Sequence, residues 1–551
     1  MCAQDRSQAR SMVISETGIV ATSQTLASQA GARVLERGGS AMDAAIAANA
    51  VLGVVEPMSC GMGGDLFAIY WDASTGKMTA INASGWAPKG LTIEALKAMG
   101  KTEMPQEGIQ SVSVPGAVEG WAKLHQRFGK LPWRDLFQPA IYYADHGFPA
   151  TELIGTSWHD KLNIDKLNQD GNARQVFLVD GAPPQVGEIF RNPRMAAGFK
   201  LLANEGPAAF YRGPIAKAIL KTSERLGGKM AAADLSEFQA EWVQPIATDY
   251  HGWRVYELPP NGQGIATLAM LNMMAQFPLA TYPPRGVEEL HVEMEAQKLA
   301  YADLHRYVAD PRFSQVPVEG MLSADYARQR AKLFDPDKAR CEERPGNPMS
   351  TQGDTIYLSV VDRQGNIVSL IQSLYHGFGS GVVVDDYGFA LHNRAGLFEL
   401  DANHPNALEP RKRPFHTIIP GFMEKGDIHI GFGIMGGFNQ AQAHAQFVSN
   451  IVDHGMNIQA ALEAPRFTKL TFGGCDAMIE NRIPQEVRDA LAAKGHELKV
   501  LGDYASLVGG GQAVIHDSRT HVNYGASSPR KDGAAVPEAP GYFGGMPKGG
   551  R

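Results

Sequence analysis

The chain has 551 residues, 44% of them hydrophobic and 20% charged, the composition of an ordinary soluble globular protein. Its formal net charge of −7 argues against a basic nucleic-acid surface. No run of about 20 apolar residues is present, so no membrane-spanning helix is expected.

The length suggests about three or four domains. The start, Met1 to Ser11, lacks the apolar stretch of about 7–15 residues that a secretory signal needs, which points to a cytoplasmic protein. Apolar residues at helical spacing predict helices over Thr25–Glu36 and Ala41–Val55, broken by Gly38-Gly39, with Ser40 as N-cap of the second. Leu66–Trp71 and Lys77–Asn82 read as strands around the Asp72–Gly76 turn. Helical patterns follow over Ala117–Phe128, Trp133–His146, Arg194–Asn204 and Ile215–Leu226. Asp310–Gly353 is polar, proline-bearing and irregular, a suitable setting for an exposed, cuttable connection. Thr355–Val361 and Asn366–Ser373 read as two strands joined by Asp362-Arg363-Gln364-Gly365. Helices are expected at Ala441–Val452 and Pro484–Lys494, and the glycine-rich end, Gly544–Arg551, reads as a floppy tail. Strand pairs mixed with helices predict an α+β fold in which helices cover the sheets. The four cysteines, Cys2, Cys60, Cys341 and Cys475, are scattered without metal-site or disulfide-framework spacing, and free thiols are expected.

Gly353-Asp354-Thr355-Ile356-Tyr357-Leu358 carries the chemistry. A chain cut after Asp354 would leave Thr355 as a new N-terminus. Its α-amine, with a reference pKa of about 7.7–8.0, is partly unprotonated near neutrality and lies beside the hydroxyl that it must activate. A terminal threonine thus carries both nucleophile and base. The same window also fits an ordinary β-branched residue on a strand.

The surrounding motifs give the threonine its context. They include Ala27-Ser28-Gln29-Ala30-Gly31, Gly38 to Ala47, Gly61-Met62-Gly63-Gly64-Asp65, and Glu295 to Asp303. Beyond Thr355 come Phe378-Gly379-Ser380-Gly381, Pro405 to Pro410, Lys412-Arg413-Pro414, Gly436-Gly437 and Tyr524 to Arg530. In this order and spacing the chain resembles the γ-glutamyltransferase (glutathione hydrolase) family along nearly its whole length. The resemblance implies an N-terminal-nucleophile hydrolase, a four-layer α-β-β-α sandwich, and self-cleavage into segments 1–354 and 355–551 that stay in one interlocked body. It also implies a threonyl acyl-enzyme, with Thr355 as nucleophile, Ser373 touching it, and Gly436 and Gly437 forming the oxyanion hole. No cofactor or metal is implied. The expected partners are a small-molecule amide, water or an amine acceptor, and the two fragments themselves; a homodimer is possible.

Substrate recognition departs from the family pattern. Ser84, in Asn82 to Pro88, stands where the family has an arginine for the substrate α-carboxylate, and serine cannot make that bidentate contact. Leu397 replaces the aspartate that binds the α-amine, His416-Thr417 replaces a serine pair, and Tyr375 replaces an asparagine. Arg394 is a new charge beside the pocket, able to take a carboxylate or to serve as a structural ion pair. Trp86 and Leu397 would make the pocket more apolar. The short stretch from Phe398 to Pro410 lacks the insertion that forms a lid in some members. Two substrate classes therefore compete: γ-glutamyl amides such as glutathione, and glutaryl or other non-γ-glutamyl amides of the cephalosporin-acylase or oxamate type. A catalytically silent binding relative is a third, more remote reading.

Overall fold

A computed structural model describes residues 8–341 and 353–542. Its centre is a pair of seven-stranded antiparallel sheets lying face to face. One runs, edge to edge, Ala534–Pro537, Ile19–Thr22, Gly353–Val361, Ile367–His376, Asp65–Asp72, Lys77–Ala83 and Glu241–Val243. The other runs Val13–Ser15, Val522–Ser527, Gly511–Asp517, Ile428–Ile434, Gly421–Lys425, Trp253–Glu257 and Ile246–Tyr250. Both sheets draw strands from either side of Thr355, so a cut there divides the chain without dividing the body.

Helices cover each outer face. Thr25–Glu36, Ala41–Val55 and Ala117–Phe128 lie on the first sheet, and Gly264–Met274 and Asn439–Val452 on the second, with Val287–Tyr307 packed against those two helices. The architecture is α-β-β-α. The strand bearing Thr355 is central and covered on both sides. Its Ile356, Leu358 and Val360 pack towards the helices, while Tyr357 and Val361 enter the layer between the sheets with Phe67, Ile371 and Val514. Burying such side chains fully is worth roughly 1.5–3 kcal/mol each. The Tyr357 hydroxyl entering that layer is satisfied by Ser359 Oγ at 2.5 Å and Ser369 Oγ at 2.7 Å.

The two N-terminal helices have the bounds that their periodicity predicts, and Ser40 caps the second in a reciprocal box with Asp43. The expected helix over Trp133–His146 is instead two, Trp133–Leu136 and Gln138–His146, because Pro139 opens a new helix at its first turn. The approach to Thr355 is less irregular than expected, containing helices at Val318–Met321 and Ala324–Ala331. The predicted tail, Gly544–Arg551, lies outside the described residues.

The expectation of free thiols fails for one pair. Cys341 and Cys475 form a disulfide with Cα atoms 4.9 Å apart, across 134 residues of sequence. Cys475 is brought there by the pairing of Asp476–Glu480 with Glu497–Leu501, a long-range contact that sequence spacing does not reveal. Cys60 is free and buried.

Candidate active site

Thr355 stands at a break in its ladder. Asp354 pairs with Tyr375 but Thr355 with Ser373, so Leu374 is an extra residue opposite the Asp354–Thr355 bond. The Leu374 N–H turns instead to the Ser59 carbonyl, at 2.9 Å. Tyr375 is thrown to φ +79, a left-handed conformation unusual for a bulky residue. Bulges re-aim side chains, and strain of this kind clusters at functional sites. Here the bulge places Thr355 Oγ1 3.1 Å from Ser373 Oγ. The Tyr375 N–H donates to the same Ser373 oxygen at 2.8 Å, which fixes the serine rotamer. Thr355, Ser373 and Tyr375 are all nearly completely buried.

Thr355 and Tyr375 line a cleft of about 290 Å³ together with Gly436, Gly437 and Arg530. Gly436 at φ +118 and Gly437 at φ +59 form the turn between strand Ile428–Ile434 and helix Asn439–Val452. That turn forms part of the cleft wall. Among the described residues, neither the Gly436 nor the Gly437 N–H donates a hydrogen bond. Gln263 steadies the turn, its Nε2 donating to the Gly437 carbonyl at 2.8 Å and to the Thr417 carbonyl. The arrangement supplies a hydroxyl nucleophile, a neighbouring hydroxyl and unspent N–H donors at one cleft, the elements of acyl transfer.

A second pocket of about 520 Å³ lies on the other side of Tyr375 and shares Tyr375 and Phe438 with the first. Leu397, Phe398, Phe415 and Phe472 give it an apolar, aromatic wall. Leu397 lines this second pocket and not the cleft at Thr355, and the charged side chains of Lys97, Glu103, Glu399 and Asp401 line it as well.

Arg394, His416 and Thr417 are brought close to Tyr375 but not into either cavity. All three are fully buried around Asp65. Arg394 Nε donates to Asp65 Oδ2 at 3.1 Å, and its Nη1 to Thr417 Oγ1 at 2.7 Å. The guanidinium carbon lies 4.7 Å from the Tyr375 ring centre, a cation–π contact. Of the two roles open to Arg394, the structure displays the ion pair. His416 Nε2–H donates to Asp65 at 2.5 Å, while its Nδ1 accepts the Ile418 N–H at 3.3 Å. Burial, reinforced by the Arg394 charge, pushes the His416 pKa down to about 4, so the ring is neutral and the Asp65 contact is a hydrogen bond. Burial opposes ionisation of Asp65, but the donors of His416, Arg394 and His392 outweigh it and hold the carboxyl well below the usual range. Burial also raises the Tyr375 phenol to about 12, so it stays protonated.

Ser84 and Trp86 line neither cavity. Ser84 Oγ donates to Asn82 Oδ1 at 2.7 Å, and its carbonyl accepts Arg413 Nε at 2.9 Å. Trp86 packs edge-on against Phe238 beneath Arg411 and donates to the Asp234 carbonyl. Replacing the family arginine by Ser84 therefore leaves a closed structural network, and Trp86 packs, partly buried, against the core. Reading the sequence missed Asp65, His392 and Gln263. Asp65 ends a glycine run noted for its resemblance, which was the available signal.

Comparison with known proteins agrees with this geometry. Residues 27–538 match the gamma-glutamyltranspeptidase family. The chain is 36% identical over 529 residues to the glutathione hydrolase-like YwrD proenzyme of Bacillus subtilis, covering 95% of this chain and 99% of that one. It is 32% identical to the oxamate amidohydrolase proenzyme of Klebsiella pneumoniae, with 95% and 99% covered. The crystal structure of cephalosporin acylase from Bacillus halodurans superposes with a TM-score of 0.90 at 41% identity, covering 97% of this chain and 98% of that one. The chain belongs to the γ-glutamyltranspeptidase family.

Proposed function

We propose that the protein is a self-processing amide hydrolase and acyltransferase that works through a threonyl acyl-enzyme on γ-glutamyl or related amides such as glutathione. One observation carries the reading: Thr355, paired with Ser373 at a broken ladder, lines one cleft with Gly436 and Gly437, whose N–H groups are unspent among the described residues. Processing begins as Thr355 Oγ attacks the Asp354 carbonyl carbon. The Asp354–Thr355 amide becomes an ester, the former amide nitrogen becomes the Thr355 amine, and water hydrolyses the ester. In turnover Oγ attacks the substrate carbonyl and the amine accepts its proton. The two glycine N–H groups hold the developing oxyanion, and the protonated amine returns the proton to the leaving group. Water or an acceptor amine then releases the acyl group.

A second reading, an acylase for glutaryl or other non-γ-glutamyl amides, is favoured by Leu397 standing where the family has an aspartate and by the closed network around Ser84. The names of the oxamate amidohydrolase and cephalosporin acylase relatives accord with it. Release from γ-glutamyl, glutaryl and short uncharged anilides by the purified protein tests both. Turnover confined to γ-glutamyl compounds supports the first, turnover of the others supports the second, and inertness of a processed protein towards all of them rejects both.

A further inference from the structure

We propose that the Cys341–Cys475 bridge ties the two fragments of the processed enzyme covalently and is a thiol-exchange site. The inference rests on the processing reading. Cys341 lies before the Asp354–Thr355 bond and Cys475 after it, so cleavage places the bonded sulfurs on different chains. The disulfide then becomes the covalent link between them, and the mature protein is one covalent species of two polypeptides. Non-covalent contacts at the same place position the tie. The Ala339 N–H donates to the Lys494 carbonyl at 2.6 Å, and His291 Nδ1 lies 2.8 Å from His496 Nε2. Each crosses from one fragment to the other.

The two sulfurs differ in surroundings. Cys341 is exposed, whereas Cys475 is buried with Lys298 Nζ 3.7 Å from its sulfur. An incoming small thiolate therefore reaches Cys341 Sγ. It forms a new S–S bond there, the old bond breaks, and the electron pair goes to Cys475 Sγ. That thiolate is born within reach of a Lys298 N–H, on an ammonium that also pairs with Glu295 at 2.7 Å, and this donor makes it the better leaving group. A second small thiol releases Cys341 from the mixed disulfide, leaving both cysteines reduced and the small thiol pair oxidised. Closing the bridge is the reverse exchange, in which a small-molecule disulfide takes up the two electrons. The tie holds where the surrounding thiol pool is oxidised and opens where it is reduced.

The test uses purified full-length protein denatured in the presence of an alkylating agent, which traps exposed and buried free thiols alike. With reductant, the gel should show two fragments; without it, one species near the full 59.5 kDa. Cys475→Ser should run as two fragments in both lanes, and digestion of the unreduced wild type should yield a linked Cys341–Cys475 peptide. Two fragments in the unreduced wild-type lane, with both cysteines alkylated, would overturn the tie. One full-length band under reduction rejects the processing reading, and with it a tie between fragments, while the linked peptide reports the bridge separately. Lys298→Met should slow opening by a small thiol about three- to tenfold, with Lys298→Arg restoring the rate. An unchanged or faster rate overturns the assignment of the leaving sulfur.

Discussion

Thr355 Oγ1 and Ser373 Oγ meet at 3.1 Å beside the bond expected to break, where Leu374 interrupts the ladder. In the proposed function, cleavage and turnover use one hydroxyl in this one setting. Thr355→Ala should remain a single uncut and inactive chain. Thr355→Ser, which keeps the hydroxyl, should process slowly. N-terminal sequencing of the smaller wild-type fragment should begin at Thr355 and read Thr-Ile-Tyr-Leu; any other start refutes the assigned bond.

Gly437→Val should process at least in part yet turn over slowly. At φ +59 a β-branched residue forces the turn to shift, and the shift moves the N–H donors away from the oxyanion. Loss of one such donor costs about 10²–10³ in kcat. Near-normal kcat in a processed Gly437→Val protein would remove the glycine pair from that role.

Arg394→Ala should act first on stability. It strips the buried Asp65 carboxylate of its guanidinium partner and leaves it the contacts of His416 and His392. Breaking a buried pair from one side costs about 3–5 kcal/mol. Chemical denaturation should show a loss of that order, and Arg394→Lys should recover only part of it, because lysine lacks the planar fork. A loss under 1 kcal/mol, with selective damage to carboxylate substrates, would instead mark Arg394 as a substrate clamp.

Stability should fall as the medium is acidified from about pH 6.5 towards pH 4. His416 is neutral in the fold, with its pKa lowered to about 4, whereas an unfolded histidine titrates near 6.5. Between these values the unfolded chain binds the extra proton, so acid favours unfolding. The contribution of His416 is on the order of 3 kcal/mol, present above pH 6.5 and lost as pH falls through that window. His376 and His496, both lowered to about 3, add with the same sign. His416→Gln should therefore flatten the unfolding free energy between pH 4.5 and 7 relative to wild type. Parallel curves for the two proteins would show that His416 does not titrate on unfolding.

γ-Glutamyl anilides should be favoured over glutaryl anilides by less than about 10²-fold in kcat/KM, the equivalent of roughly 2.7 kcal/mol. The γ-glutamyl ammonium needs a counter-charge when it leaves water, and Leu397 offers none. Leu397→Asp should raise the preference for γ-glutamyl by placing a carboxylate at this position, beside Glu399 and Asp401 on the same pocket wall. A wild-type preference above that bound would mean that another residue binds the ammonium.

Much of this protein is legible locally. The helices Thr25–Glu36 and Ala41–Val55, the Ser40 cap and the strand pair around Asp362–Gly365 follow from periodicity and turn chemistry, because neighbouring residues set them. The ordered motifs point in the same way to Thr355 and the glycine pair. Only the tertiary structure decided which side chains line a cavity and which are closed off from one. Arg394, His416, Ser84 and Trp86 carry groups fit for a pocket, yet each finds its partner in another part of the chain: Asp65 for the first two, Asn82 with Arg413 for Ser84, and Phe238 with Arg411 for Trp86. The same holds for the Cys341–Cys475 bond, made across 134 residues. A polar group taken out of water must be satisfied by whatever the fold places within about 3 Å, and that choice is set by packing between distant segments rather than by the residues alongside.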